Sequence, residues 1–186
     1  MIIGFAGKKE SGKSTAAEAL LRRGFRRYSF ARPIKRMVRL LLRDCGLDQE
    51  QLAFHEHHKE DLIPSLGVSF RQLCQTLGTE WGRACVHPDL WVIAANEYLT
   101  GFGDYVVDDV RFENEATLIR QSGGLIIHVR RPGLADDDAH ASESGIAWHP
   151  VDAVIDNDGD VEQLHRAVWA AVNAAGNASS LVLRAD

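Results

Sequence analysis

Apolar residues follow two rhythms along this chain. Short, mostly apolar runs occupy residues 1–6, 105–110, 125–130 and 151–155, and a looser run with Phe25, Tyr28 and Phe30 covers 25–31. Runs of this length, bounded by glycine and polar residues, predict buried strands. Between them the spacing lengthens. Ile34, Met37, Val38, Leu41 and Leu42 fall at i, i+3, i+4, i+7 and i+8 behind Pro33, the pattern of an amphipathic helix that ends at Gly46. Helices are also predicted over 14–23, 89–99, 113–121 and 161–172. The stretch 69–83 mixes helix formers with a Gly-Thr-Glu-Trp-Gly interruption. Residues 48–68 read as polar and irregular, and the tail from Asn173 as loosely held. Strands that alternate with helices call for an α/β fold, with a central parallel sheet of about five strands and helices on both faces. No repeat or linker divides the chain, so residues 1–186 are expected to form a single domain.

The first strand leads into GFAGKKESGKST, where Gly7 is followed by four residues and then Gly12, Lys13 and Ser14. This spacing is that of a phosphate-binding loop, and its place between a strand and a helix is the context such a match requires. The glycines let the backbone approach an anion closely. Lys13 would reach the β and γ phosphates of a nucleotide, and the Ser14 hydroxyl would ligate Mg²⁺. Ser11 and Thr15 lie in the same bend, and the following helix would point its positive end at the phosphates.

Composition narrows the choice. Of the 186 residues, 45% are hydrophobic and 25% charged, as in a globular domain. A net charge of −5 disfavours stable binding to nucleic acid, although it leaves room for a local basic groove. No run approaches the roughly 20 apolar residues of a membrane span. The N-terminal run is also too short for a signal sequence, so a cytoplasmic setting is expected. Cys45, Cys74 and Cys85 form no C-x-x-C pair. In His55-Glu-His-His-Lys59 the position four after the first histidine is a lysine, so the metalloprotease helix pattern fails and a solvated surface is expected.

Phosphoryl transfer needs a metal near the β and γ oxygens and positive charge aimed at the transferring group. Asp108 and Asp109 close an apolar strand, the place for carboxylates on the metal side, and Arg111 follows. Arg71 and Arg83 could hold a second phosphate, because a guanidinium binds phosphate oxygens in a bidentate fork. For each of these arginines a solvated surface role is the alternative.

The segments GKKESGKST, YSFARPIK, SFRQLCQTLGTEWGR, HPDLW, VVDDVRFENEA and RRPG with HASE, in this order over residues 1 to about 165, resemble the deoxynucleoside monophosphate kinases of bacteriophages. The resemblance implies the P-loop nucleoside monophosphate kinase fold and transfer of the ATP γ-phosphate to a deoxynucleoside 5′-monophosphate. It assigns ATP and Mg²⁺ to Gly7, Ser11, Gly12, Lys13, Ser14 and Thr15, with Asp108 and Asp109 beside the metal. An acceptor segment at about 32–90 would use Arg71 and Arg83 on the monophosphate, Arg32 and Lys35 nearby, and Glu80 and Trp81 around sugar and base. A lid at about 130–148 would carry Arg130, Arg131, His140 and Glu143, next to an acidic run at Asp136, Asp137 and Asp138. Asn157 would lie near the ATP base, and residues 174–186 would form the tail.

Other functions stay open at this point. The same chemistry could act on a hydroxymethylated base in phage DNA, or the loop could serve a module that binds ATP without transferring phosphate. A homodimer is one assembly the sequence leaves open.

Overall fold

The computed structural model describes residues 1–101, 103–134 and 145–182, with the side chains of 177–182 left aside. In chain order the elements are β1 (Ile2–Ala6), α1 (Lys13–Leu21), β2 (Arg26–Tyr28), α2 (Arg32–Asp44), α3 (Gln49–His57), β3 (Leu62–Ile63), β4 (Val68–Ser69) and α4 (Phe70–Gln75). A π-helix (Thr76–Val86), α5 (Leu90–Leu99), β5 (Tyr105–Val107), α6 (Glu113–Gln121), β6 (Leu125–Arg130), β7 (Ala153–Asp156) and α7 (Val161–Val182) follow. They group into two compact units, Met1–Ser29 with Asn96–Asp186, and Phe30–Ala95.

The first unit is built on a five-stranded sheet in the order β2-β5-β1-β6-β7, parallel throughout, as the alternation of runs predicts. Register decides which residues share a face. Ile3 lies opposite Val106 and Leu125, and Phe5 opposite Ile127. These side chains form one core with Ala16, Ala17 and Leu20 of α1 and Leu164 and Val168 of α7. Full burial of a side chain such as Phe5 or Ile127 contributes roughly 1.5–3 kcal/mol. The alternate residues face the other way. A Cβ on Gly4 would come within 2.7 Å of the Ile119 and Ile126 side chains, so α6 presses on β1 at its one glycine. Helices therefore cover both faces of the sheet.

The second unit packs Val38 and Leu42 of α2 against Leu52, Ile63 and Phe70. Here the expectation of an irregular 48–68 is corrected. Asp48 accepts from the Gln51 N–H at 2.8 Å, and the Gln51 side chain accepts from the Asp48 N–H at 2.9 Å. This reciprocal cap starts α3, and an antiparallel pair of two-residue strands follows it. The cap, D-x-x-Q, is visible in the sequence, but the helix buries only Leu52 and His55 and so shows no apolar stripe. The Gly-Thr-Glu-Trp-Gly stretch does not interrupt a helix either. It continues α4 as a π-helix, with the His87 N–H donating to the Gly82 carbonyl five residues back at 3.0 Å. At the C-terminus α7 runs to Val182, past the expected end at 172. Among the described residues no helix is long and apolar enough to cross a membrane.

Candidate active site

The phosphate loop hangs between β1 and α1 and owes its shape to two glycines. Gly7 has φ 139° and Gly12 φ 101°, backbone angles that L side chains rarely adopt. Space forbids side chains there as well. A Cβ on Gly7 would run into the Val129 carbonyl, and one on Gly12 into the Asn157 amide. Glu10, at φ 63°, is a non-glycine residue held in the left-handed region. Lys13 folds its ammonium back over the bend, donating to the carbonyls of Gly7 at 2.7 Å and Lys8 at 2.5 Å.

Elements far along the chain fasten this loop. The Asn157 side-chain amide donates to the Ser11 carbonyl at 2.9 Å, while its own backbone N–H donates to the Arg130 carbonyl at 2.6 Å. His165 Nε2 lies 2.9 Å from the Thr15 carbonyl. A carbonyl only accepts, so this nitrogen carries the hydrogen. Ser11 is 1% exposed, and among the described residues its hydroxyl has no hydrogen-bond partner. A buried hydroxyl without a partner is costly, and here it lies inside a loop shaped to meet an anion.

At the C-terminal end of β5 stand Asp108 and Asp109. The Ser14 hydroxyl hydrogen-bonds the Asp108 carboxylate, and Arg27 approaches the same group, Nε to Oδ2, at 3.6 Å. Burial first, and then the neighbouring Asp109 charge, push the Asp108 carboxyl above its ordinary range against these partners. Asp109 accepts from the Ser29 hydroxyl at 2.6 Å. Two carboxylates and a serine hydroxyl thus gather oxygen donors beside the loop, a set suited to a hard divalent cation. Mg²⁺ is commonly held by one or two carboxylates together with substrate phosphates. Arg111 follows, and its backbone N–H donates to the buried Glu115 carboxylate at 2.8 Å, capping α6.

The remaining predicted residues are spread more widely. Arg130 is exposed and paired in a fork with Asp156, at 2.9 and 3.1 Å, and Arg131 is exposed. His140 and Glu143 lie outside the described residues, as does the acidic run at 136–138. In the second unit Arg71 is nearly buried and pairs through Nε with Glu60 at 2.6 Å. Burial drives the Cys74 thiol up to about 11, with Glu56 adding to the rise and Lys35 and Arg71 opposing it. Arg32 is exposed on the first turn of α2. Arg83 donates to the Pro88 carbonyl at 3.2 Å, and Glu80 and Trp81 are exposed on the π-helix. Sequence reasoning misses Arg27, Ser29 and His165. Ser29 and Asp109 are 80 positions apart, and only the parallel pairing of β2 with β5 brings them together.

Residues 47–168 match the family model described as deoxynucleotide monophosphate kinase. Over 191 residues the chain is 32% identical to a predicted deoxynucleotide monophosphate kinase of Acanthamoeba polyphaga mimivirus, covering 94% of this chain and 97% of that protein. It is 38% identical over 101 residues to the deoxynucleotide monophosphate kinase of Enterobacteria phage T4, a match that spans 52% of this chain and 42% of the phage protein. A third relative, the deoxynucleoside-5'-monophosphate kinase of Escherichia phage T5, is 34% identical over 54% of this chain and 43% of its own. With its parallel five-stranded sheet, its phosphate loop and these relatives, the chain belongs to the deoxynucleotide monophosphate kinase family.

Proposed function

We propose that this protein transfers the γ-phosphoryl group of ATP to the 5′-phosphate of a deoxynucleoside monophosphate, giving ADP and the deoxynucleoside diphosphate. The observation that carries the proposal is the meeting of Lys13, Ser14 and Asp108 around one glycine bend. Loop N–H groups and Lys13 hold the triphosphate. Ser14, Asp108 and Asp109 would hold Mg²⁺, which supplies charge neutralisation at the β and γ oxygens when bound. A non-bridging oxygen of the acceptor phosphate forms the new bond to the γ phosphorus as the bond to the β–γ bridging oxygen breaks, and ADP leaves with that electron pair.

Several negative charges must come close for this step, and fixed cations make that possible. Arg71 and Arg83 bind the acceptor's monophosphate, with Arg32 and Lys35 adding charge, while Glu80 and Trp81 border its sugar and base. Arg111, Arg130 and Arg131 serve the transferring group, and His140 and Glu143 belong to the segment that covers the reaction. The substrates are soluble nucleotides, in keeping with a cytoplasmic setting.

The test is a panel assay with Mg-ATP and each deoxynucleoside monophosphate, following diphosphate formation. At least one acceptor should give product. Failure with all of them, together with phosphate transfer to hydroxymethylated DNA, would move the activity to polymeric substrate. Arg71→Ala should raise the KM of the acceptor more than that of ATP. The reverse pattern would mean that Arg71 serves the donor.

A further inference from the structure

We infer that Trp91 is a positioning residue for the acceptor: it holds the π-helix in the one shape that presents Glu80, Trp81 and Arg83 together. The inference rests on the proposed acceptor role of that segment and adds what fixes its geometry. Trp91 is 3% exposed and lies on α5, behind the His87-Pro88-Asp89 turn that closes the π-helix. Its indole Nε1–H donates to the Gly78 carbonyl at 2.7 Å in a buried hydrogen bond. The six-membered part of its ring lies where a Cβ of Gly82 would stand, with Cε2 2.8 Å from that position. On the same side, a Cβ on Gly78 would come within 2.9 Å of Ile34 Cδ1.

The two buried glycines therefore form an inner face that rests on Trp91 and Ile34. The residues between and beside them point elsewhere. Glu80 and Trp81 are exposed, Arg83 is half-buried, and its guanidinium is tied to the carbonyl of Pro88, three residues before Trp91. A π-helix has looser hydrogen-bond geometry than an α-helix and needs a reason to persist, and such segments are frequent at functional sites. Trp91 supplies that reason from within the unit, by one directed hydrogen bond and one close ring contact. Without the indole, the same residues can rewind toward α-helical geometry, which turns Glu80, Trp81 and Arg83 to new directions. Acceptor binding would then weaken although every group expected to touch the acceptor is still present.

Three variants test this, each first checked for an unchanged far-UV circular dichroism spectrum. Trp91→Phe keeps an aromatic ring and removes the N–H, and it should raise the acceptor KM by about tenfold, the usual worth of one buried hydrogen bond, with the ATP KM within about twofold. Gly82→Ala attacks the same contact from the other side and should do the same. In the double variant the smaller ring brought in by Trp91→Phe makes room for part of the added methyl, so the combined loss should be smaller than the product of the single losses. Arg83→Ala is the reference. If Arg83→Ala raises the acceptor KM while Trp91→Phe and Gly82→Ala leave it within about twofold, or raise both KM values alike, Trp91 has no positioning role. If Arg83→Ala also leaves the acceptor KM unchanged, the segment does not bind the acceptor, and both the inference and the reading beneath it fail.

Discussion

The phosphate loop and the π-helix each turn on a pair of glycines, but for different reasons. Gly7 and Gly12 sit at positive φ as well as against neighbouring atoms, whereas Gly78 and Gly82 lie outside the left-handed region and are needed because Ile34 stands close to the first and Trp91, with the Leu77 carbonyl, to the second. The first pair is demanded by the backbone itself, the second by its surroundings. A defect of the first kind cannot be repaired by trimming a neighbour. One of the second kind can where the neighbour is a side chain alone, as at Gly78.

The largest effect expected in this comparison is on the loop's cation. Lys13→Ala should lower turnover on the order of a thousandfold, because the charge it offers gains weight as the γ-phosphate departs; rates near normal would remove Lys13 from the mechanism. Next comes Gly12→Ala. Strain of about 1–2 kcal/mol from the left-handed backbone adds to the collision with Asn157, so ATP affinity should fall at least about tenfold. Pairing it with Asn157→Ala should recover only a minor part, and full recovery would show that crowding alone matters at this site. Gly78→Ala should be milder, a few-fold rise in acceptor KM, since a methyl forced into a packed site costs about 1–3 kcal/mol. Ile34→Val removes the Cδ1 that the new methyl would meet, and should restore nearly all of it.

The smallest effect on catalysis is expected at a third place, used to calibrate the others. Asp152, its side chain fully buried, takes a two-pronged hydrogen bond from Arg120 at 2.9 and 2.7 Å and lies 2.9 Å from His128 Nε2. Burial alone would push its carboxyl up, but the hydrogen bonds of Arg120, His128 and the His149 N–H hold it below the ordinary range. The folded carboxylate thus keeps its charge to lower pH than an unfolded one. Its stabilisation is complete above about pH 4 and is lost as pH falls through the lowered folded value. Asp152→Asn should therefore cost about 3 kcal/mol in urea unfolding at neutral pH, with the deficit shrinking on acidification and both KM values unchanged at 25 °C. A deficit independent of pH would mean that the charge contributes nothing.

The same contrast explains what could be read in advance. The five strands and the phosphate loop were legible because each depends on residues adjacent in sequence: runs such as Leu125–Arg130, or glycines at fixed spacing before a lysine. α3 escaped because its burial is too slight to impose a rhythm, although Asp48 and Gln51 carried its starting cap. The π-helix escaped for a deeper reason. Its residues alone read as a helix with a defect, and what turns the defect into a structure is an indole on the following helix. Likewise nothing near Asp109 announced Ser29, nor anything near Asp108 announced Arg27; strand order decides both.

The folded-back posture of Lys13 has a thermodynamic result for catalysis. A lysine side chain gives up as much as about 1.5–2 kcal/mol of rotational freedom when it is fixed in place. Here two carbonyls of its own bend immobilise it during folding. On the proposed reading, an arriving nucleotide would have the ammonium exchange these neutral oxygens for charged ones. More of the new attraction is then left to appear as affinity.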